Sequence, residues 1–137
     1  MSRYKAREEA FKLIFEYSFR GEDGADGLLE EYYERRDDLE GVADEKDYFE
    51  DVVRGVCSKR EDLSRALEPF LIGWRKERIS RVAAALLHLA AFEILYRDDV
   101  TAAVAINEAV ELAKRYDSQE AAQFINGILG SFVKGRE

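Results

Sequence analysis

Between Ile79 and Tyr96 the chain reads ISRVAAALLHLAAFEILY, and within it Val82, Leu86, Leu87, Leu89, Ala90, Ile94 and Leu95 cover most of the circumference of a helix. A helix that is apolar on so many sides keeps no broad face for water. This run therefore predicts a central, buried helix with other elements packed around it.

The surrounding elements follow from the same periodicity. Phe11, Ile14, Phe15 and Ser18 fit the i, i+3, i+4, i+7 template and predict a first helix over about residues 3–19, ended by Gly21, Gly24 and Gly27. A polar helix is expected near 28–39, and another near 45–57 with Tyr48, Phe49, Val52, Val53 and Val56 turned inward. Ser58-Lys59-Arg60-Glu61 has the pattern of a capping box, opening a short helix that stops near Pro69. After a break at Asp98-Asp99, Ile106, Ala109, Val110 and Ala113 mark a further amphipathic helix. Asp117 is then the expected N-cap of a last one carrying Ile125, Ile128, Leu129 and Phe132. No segment alternates as a strand, and no internal repeat or low-complexity stretch occurs. The predicted fold is all-α, with about seven helices in one domain-sized chain of 137 residues.

One segment of the last helix, QFINGILG from Gln123 to Gly130, places Asn126 and Gly127 among apolar residues. A glycine inside a helix costs about 1 kcal/mol relative to alanine. The expectation is that Gly127 allows a second helix to approach closely. Asn126 and Asn107 are expected to be buried, each hydrogen-bonded to a neighbouring backbone carbonyl or loop.

Catalytic chemistry finds little support. The single histidine, His88, lies on the most apolar helix with no carboxylate or cysteine three or four residues away, so it reads as a packed structural residue rather than a metal ligand. Cys57 is the only cysteine, which excludes an intrachain disulfide. There is no phosphate-cradling glycine loop and no Glu-x-x-His unit of a di-iron bundle. A non-enzymatic protein without metal or cofactor is expected. With no secretory signal and no membrane-length apolar run, it is also expected to be soluble and cytoplasmic.

The net charge of −8 is unevenly distributed. From Glu22 to Asp51 there are 14 acids and 3 bases, a net of −11, which leaves +3 for the rest of the chain. Local field matters more than total charge when a polyanion docks on one face, so the overall acidity does not exclude RNA. Arg3, Lys5, Arg7 and Lys12 open the first helix, where the helix dipole favours anions rather than cations. Their placement there is a hint of function. Arg75, Lys76, Arg78 and Arg81 form a second basic cluster around Glu77.

Several runs resemble one family. AREEAFKLIFEYSF near the start, YFEDVVRGV and LEPFL in the middle, RISRVAAALLHLAAFEIL, and above all VAINEAVELAKRY followed by QFINGILG, are similar to the NusB family of bacterial transcription antitermination factors. The likeness covers nearly the whole chain, and its last third is the most specific part. It implies an all-helical fold of two packed subdomains, about 1–78 and 79–137. In that family the protein pairs with the small-subunit ribosomal protein NusE, and the pair binds the boxA element of nascent, single-stranded RNA. The assembly on RNA polymerase then suppresses termination, chiefly on ribosomal RNA operons. A related domain precedes some RNA methyltransferases, and the free-standing factor is the form expected here.

By position, the resemblance implies phosphate contacts from Arg3, Lys5 and Arg7. It implies aromatic surfaces for RNA bases at Phe70, Tyr116 and Phe124, and a base-facing acid at Glu120. Contact with NusE falls on Phe15, Phe19 and Glu77. The chain departs from the family in lacking an acid near Ala83 and in carrying His88 where arginine is frequent. The basic start is also thinner than the family's arginine run. A homodimer that buried Arg7 and the aromatic positions would be a form closed to RNA. The alternative function is an interaction module that holds a ribosomal protein, or assists ribosome assembly, without reading RNA sequence.

Overall fold

In a computed structural model the described residues are 2–20, 24–35, 44–71, 73 and 79–136. They form seven α-helices and one 3-10 turn, and no strand occurs among them. The helices are α1 (Ser2–Arg20), α2 (Gly24–Arg35), α3 (Lys46–Ser58), α4 (Arg60–Leu67), α5 (Arg81–Tyr96), α6 (Ala102–Tyr116) and α7 (Gln119–Lys134), and the 3-10 turn Glu68–Phe70 follows α4. Arg75, Lys76, Glu77 and Arg78 lie outside the described residues.

The chain divides into two compact units, Met1–Lys59 and Arg60–Glu137. A boundary near 78/79 was expected. It falls earlier because α4 packs on α5, and the 3-10 turn after it packs on α7, which assigns residues 60–71 to the second unit. The expected capping box at Ser58 does not form. Ser58 is the last residue of α3, its hydroxyl donates to the Gly55 carbonyl at 3.3 Å, and only Lys59 separates α3 from α4.

In the first unit α3 packs on both α1 and α2. Tyr48, Phe49, Val52, Val53 and Val56 recur at helical spacing on one face of α3, and all are buried. Ala6, Ala10, Phe11, Leu13 and Ile14 of α1 are also buried, as are Leu28, Leu29 and Tyr32 of α2. The Tyr32 ring lies 5.0 Å from that of Phe49. Its hydroxyl donates to the buried Glu9 carboxylate at 3.1 Å, and Lys12 reaches the other oxygen of Glu9 at 3.0 Å. A buried carboxylate is tolerated here because both oxygens have partners.

In the second unit α5 packs against α4, α6 and α7, as its apolar circumference predicts. Ala83, Ala85, Leu86, Leu87, Leu89, Ala90, Ala91 and Phe92 are all buried. Ser80, Thr101 and Ser118 cap the three long helices, their hydroxyl oxygens accepting the N–H groups of Ala83, Val104 and Ala121. The cap of α7 is thus Ser118, one residue beyond the expected Asp117, which closes α6 through its own N–H to the Ala113 carbonyl at 2.8 Å. Ile125, Ile128, Leu129 and Phe132 face the core as expected.

Asn126, Gly127 and Asn107 do not behave as predicted. All three are exposed, and a Cβ built on Gly127 meets nothing within 4 Å. No helix approaches there. Gly127 falls on the side of α7 opposite its apolar stripe and Asn126 on the exposed flank of that stripe, so neither needs a buried hydrogen bond or a close neighbour.

Candidate functional site

The basic residues of α1 are largely engaged within their own unit. Arg3 and Arg7 stand four apart and share a helix face. Both guanidinium groups lie over the ring of Tyr48 from α3, with Cζ at 4.1 Å and 5.5 Å from the centroid. Arg3 also donates through Nε and Nη2 to the two carboxylate oxygens of Glu45, the latter at 3.3 Å. Arg7 is only 3% exposed. It is packed below the surface, so the phosphate contact expected from Arg7 is not available in this conformation. Lys5 remains 45% exposed, 3.6 Å from both Glu8 and Glu9. Of the three cations expected to contact phosphate, Arg3 and Lys5 are therefore the ones that reach solvent, as does Lys12 about one turn beyond Arg7.

Farther along α1, Phe11, Phe15 and Phe19 form a ladder. Ring centroids are 6.4 Å apart for the first pair and 5.0 Å for the second, which meets edge to face. The ladder runs from buried Phe11 to Phe19, which is 59% exposed. Phe15 and Phe19 thus present an apolar edge to solvent on the element where a protein partner was expected.

The second unit contains a groove of about 640 Å³. Its walls are Phe70 from the 3-10 turn, Ser80 and Ala83 from the start of α5, Asp117 and Ser118 from the α6–α7 turn, and Glu120, Phe124, Gly127 and Ser131 from α7. Three of the residues singled out for RNA contact, Phe70, Glu120 and Phe124, are brought together in it. Tyr116 does not line the groove. It is half-buried at the end of α6, with the Arg115 guanidinium 5.5 Å from its ring centroid. Phe70 meets Phe132 edge to face at 5.8 Å, which holds its ring at the groove's rim.

Ser80, Ser118 and Ser131 were not singled out from the sequence, and Asp117 was singled out only as a helix cap. For Ser80 and Ser118 a signal existed, since each is a small hydroxyl residue immediately before a helix. The Ser80 hydroxyl donates to the Asp117 carboxylate while its oxygen accepts the Ala83 N–H at 2.9 Å. No sequence pattern joins positions 37 residues apart. Among the described residues, the groove's lining combines aromatic rings with carboxylate, hydroxyl and amide groups and includes no cationic side chain. Such a lining suits an unstacked base, whose rings need π faces and whose edges need hydrogen-bond partners, better than it suits a phosphate.

Two further clusters are structural. The imidazole Nε2 of His88 on α5 lies 3.0 Å from Ser64 Oγ on α4. Burial, with a smaller contribution from the Arg60 cation, pushes its pKa down to about 4. A neutral ring at neutral pH joins the two helices, consistent with a packed histidine. In the first unit, Tyr33 donates to Glu50 at 2.5 Å, and Arg54 bonds both Glu50 at 3.0 Å and Asp26 at 2.8 Å. Burial and the neighbouring carboxylate raise the Tyr33 phenol well above its usual range, while the Tyr33 hydrogen bond holds Glu50 low. Among the described residues no group of His, Cys, Asp and Glu is arranged to hold a metal, and no helix is long and apolar enough to cross a membrane.

The family model of the NusB family matches residues 4–134. The chain is 43% identical to the transcription antitermination protein NusB of Acetivibrio thermocellus, over 98% of this chain and 90% of that protein. It is 44% identical to the protein of the same name from Carboxydothermus hydrogenoformans, over 95% and 91% of the two chains. Among solved structures, T. maritima NusB matches with a TM-score of 0.83 at 30% identity, covering 98% of this chain and 92% of the other. The chain belongs to the NusB family of transcription antitermination proteins.

Proposed function

We propose that this protein acts by binding rather than catalysis, pairing in the cytoplasm with the ribosomal protein NusE to engage boxA in nascent single-stranded RNA. In this role it suppresses termination on ribosomal RNA operons as part of the RNA polymerase antitermination complex. The observation that carries the reading is the groove that gathers Phe70, Phe124 and Glu120 from two separate stretches of chain. Phe70 and Phe124 supply surfaces for unstacked bases, and Glu120 supplies an acceptor for base edges. Arg3 and Lys5 supply phosphate contacts, and the exposed end of the Phe15–Phe19 ladder contacts NusE. Glu77 is a further NusE contact in this reading.

The test is titration of a labelled boxA RNA and a scrambled control, with and without NusE, at two salt concentrations. Tighter, sequence-dependent binding in the presence of NusE is expected. With about two phosphates engaged on a single strand, log K should fall with log salt at a slope of roughly −1.4. Arg3→Glu with Lys5→Glu should weaken binding without unfolding the chain, whereas Arg7→Glu would place an anion where a cation is packed on a buried ring. Equal binding of both RNAs in every condition would overturn the reading. It would favour the second one, a module that holds a ribosomal protein without reading RNA sequence. The engagement of Arg3 with Glu45 and the burial of Arg7 speak for that second reading.

A further inference from the structure

The Ser80 hydroxyl performs two tasks with one oxygen and one proton. The oxygen caps α5 by accepting the Ala83 N–H at 2.9 Å, and the proton goes to the Asp117 carboxylate. Asp117 and Ser118 are the whole connection between α6, which ends at Tyr116, and α7, which begins at Gln119. A bond from Ser80 to Asp117 therefore ties the first residue of the α5 wall to the two-residue turn from which the α7 wall starts. Glu120 and Phe124 follow that turn by about one and two helical turns. Any change in the direction of the turn moves both of them relative to Phe70 and the start of α5.

Stability does not require this bond. Ser80 and Asp117 are both exposed, so water would solvate each of them if they separated. The Ser80 oxygen would still cap α5, and Ser118 would still cap α7. What the separation would remove is one fixed contact at the groove between two walls that otherwise meet through the packing of α5 on α7.

From this arrangement we infer that Ser80 and Asp117 are positioning residues for RNA recognition, holding the α7 wall at the angle from which Glu120 and Phe124 discriminate bases. The inference rests on the RNA-binding reading given above. It concerns discrimination rather than overall affinity, because Asp117 is also an anion that repels any RNA equally.

The experiment measures boxA and scrambled RNA affinities of Asp117→Ala, Ser80→Ala, Ser80→Thr and the Ser80→Ala/Asp117→Ala double variant, each with NusE, alongside thermal unfolding. Taking the ratio of the two affinities cancels the general effect of removing a negative charge. Asp117→Ala should lower that ratio by roughly tenfold, the scale of a charge-assisted hydrogen bond, with little change in unfolding temperature. Ser80→Thr keeps a hydroxyl that can cap and donate, and should retain the ratio. The double variant should lose no more than the worse single one. An unchanged ratio in Asp117→Ala, or additive losses in the double variant, would overturn the positioning role while the RNA reading stood. A wild-type complex that failed to separate the two RNAs would remove that reading and this inference with it.

Discussion

Gly135 lies so close to Phe70 that a Cβ on it would come within 2.9 Å of Phe70 Cζ. The residue closes α7 with helical dihedrals, φ −67° and ψ −14°, so its backbone would accept alanine readily. The main obstacle is the Phe70 ring, with the Ser131 carbonyl oxygen a milder one at 3.3 Å. Gly135→Ala should destabilise the protein by about 1 kcal/mol through overpacking. In a Phe70→Ala background the same change should stabilise by a few tenths to about 1 kcal/mol, because the ring is gone and the helix preference outweighs the milder Ser131 contact. Chemical denaturation of the four-variant cycle checks this reversal of sign.

Gly127 and Gly130 are both exposed on α7 with open space at the Cβ position, but only Gly127 lines the groove. Alanine at either site should stabilise by roughly 0.5–1 kcal/mol, since each glycine loses more backbone freedom on folding than alanine does. Only Gly127→Ala adds a methyl group to the groove wall. It should weaken boxA binding while Gly130→Ala leaves binding unchanged, as thermal unfolding and RNA titration of the two variants would show.

His88 carries a stability contribution that depends on acidity. Its folded pKa is about 4 against an ordinary value of 6.5, so the unfolded chain binds the proton more readily. Stability is therefore fully present above pH 6.5 and is lost as pH falls toward 4, by up to about 3 kcal/mol for this group. His88→Gln retains a polar partner for Ser64 but no titrating ring. Urea unfolding at pH 7 and pH 4.5 should show a smaller acid loss in this variant than in the wild type.

Glu45 accepts from the Arg3 guanidinium through both carboxylate oxygens and so competes with a phosphate for it. Glu45→Gln should tighten RNA binding several-fold and steepen the salt dependence by up to roughly 0.7 in slope, the full share of the Arg3 phosphate contact with which Glu45 competes. In an Arg3→Gln background the gain should vanish. A gain that persisted there would trace to general charge removal instead.

The fold was legible because apolar spacing is a local property. The all-round apolar pattern of α5 and the single stripes of α3 and α7 each predict a packing face from contiguous sequence. Asn126 and Gly127 were misread although the stripe of Ile125, Ile128, Leu129 and Phe132 already leaves Gly127 on its far side and Asn126 on its flank. Helical phase, rather than apolar neighbours in sequence, decides burial. Phe70, Glu120 and Phe124 entered through family resemblance, and their assembly into one groove depends on how the 3-10 turn and α5 pack with α7. Arg7 could not be placed from sequence, since its burial depends on Tyr48, which comes from another helix. The link between Ser80 and Asp117 is hidden for the same reason.

The groove takes its walls from position 70, from 80 and 83, and from 117 to 131, so it exists only while those distant stretches are held together. Occupancy and integrity of this unit are consequently one thermodynamic linkage. A ligand that fills the groove and ignores the unfolded chain acts as a mass-action chaperone, adding about 2.7 kcal/mol at a free concentration one hundred times its Kd.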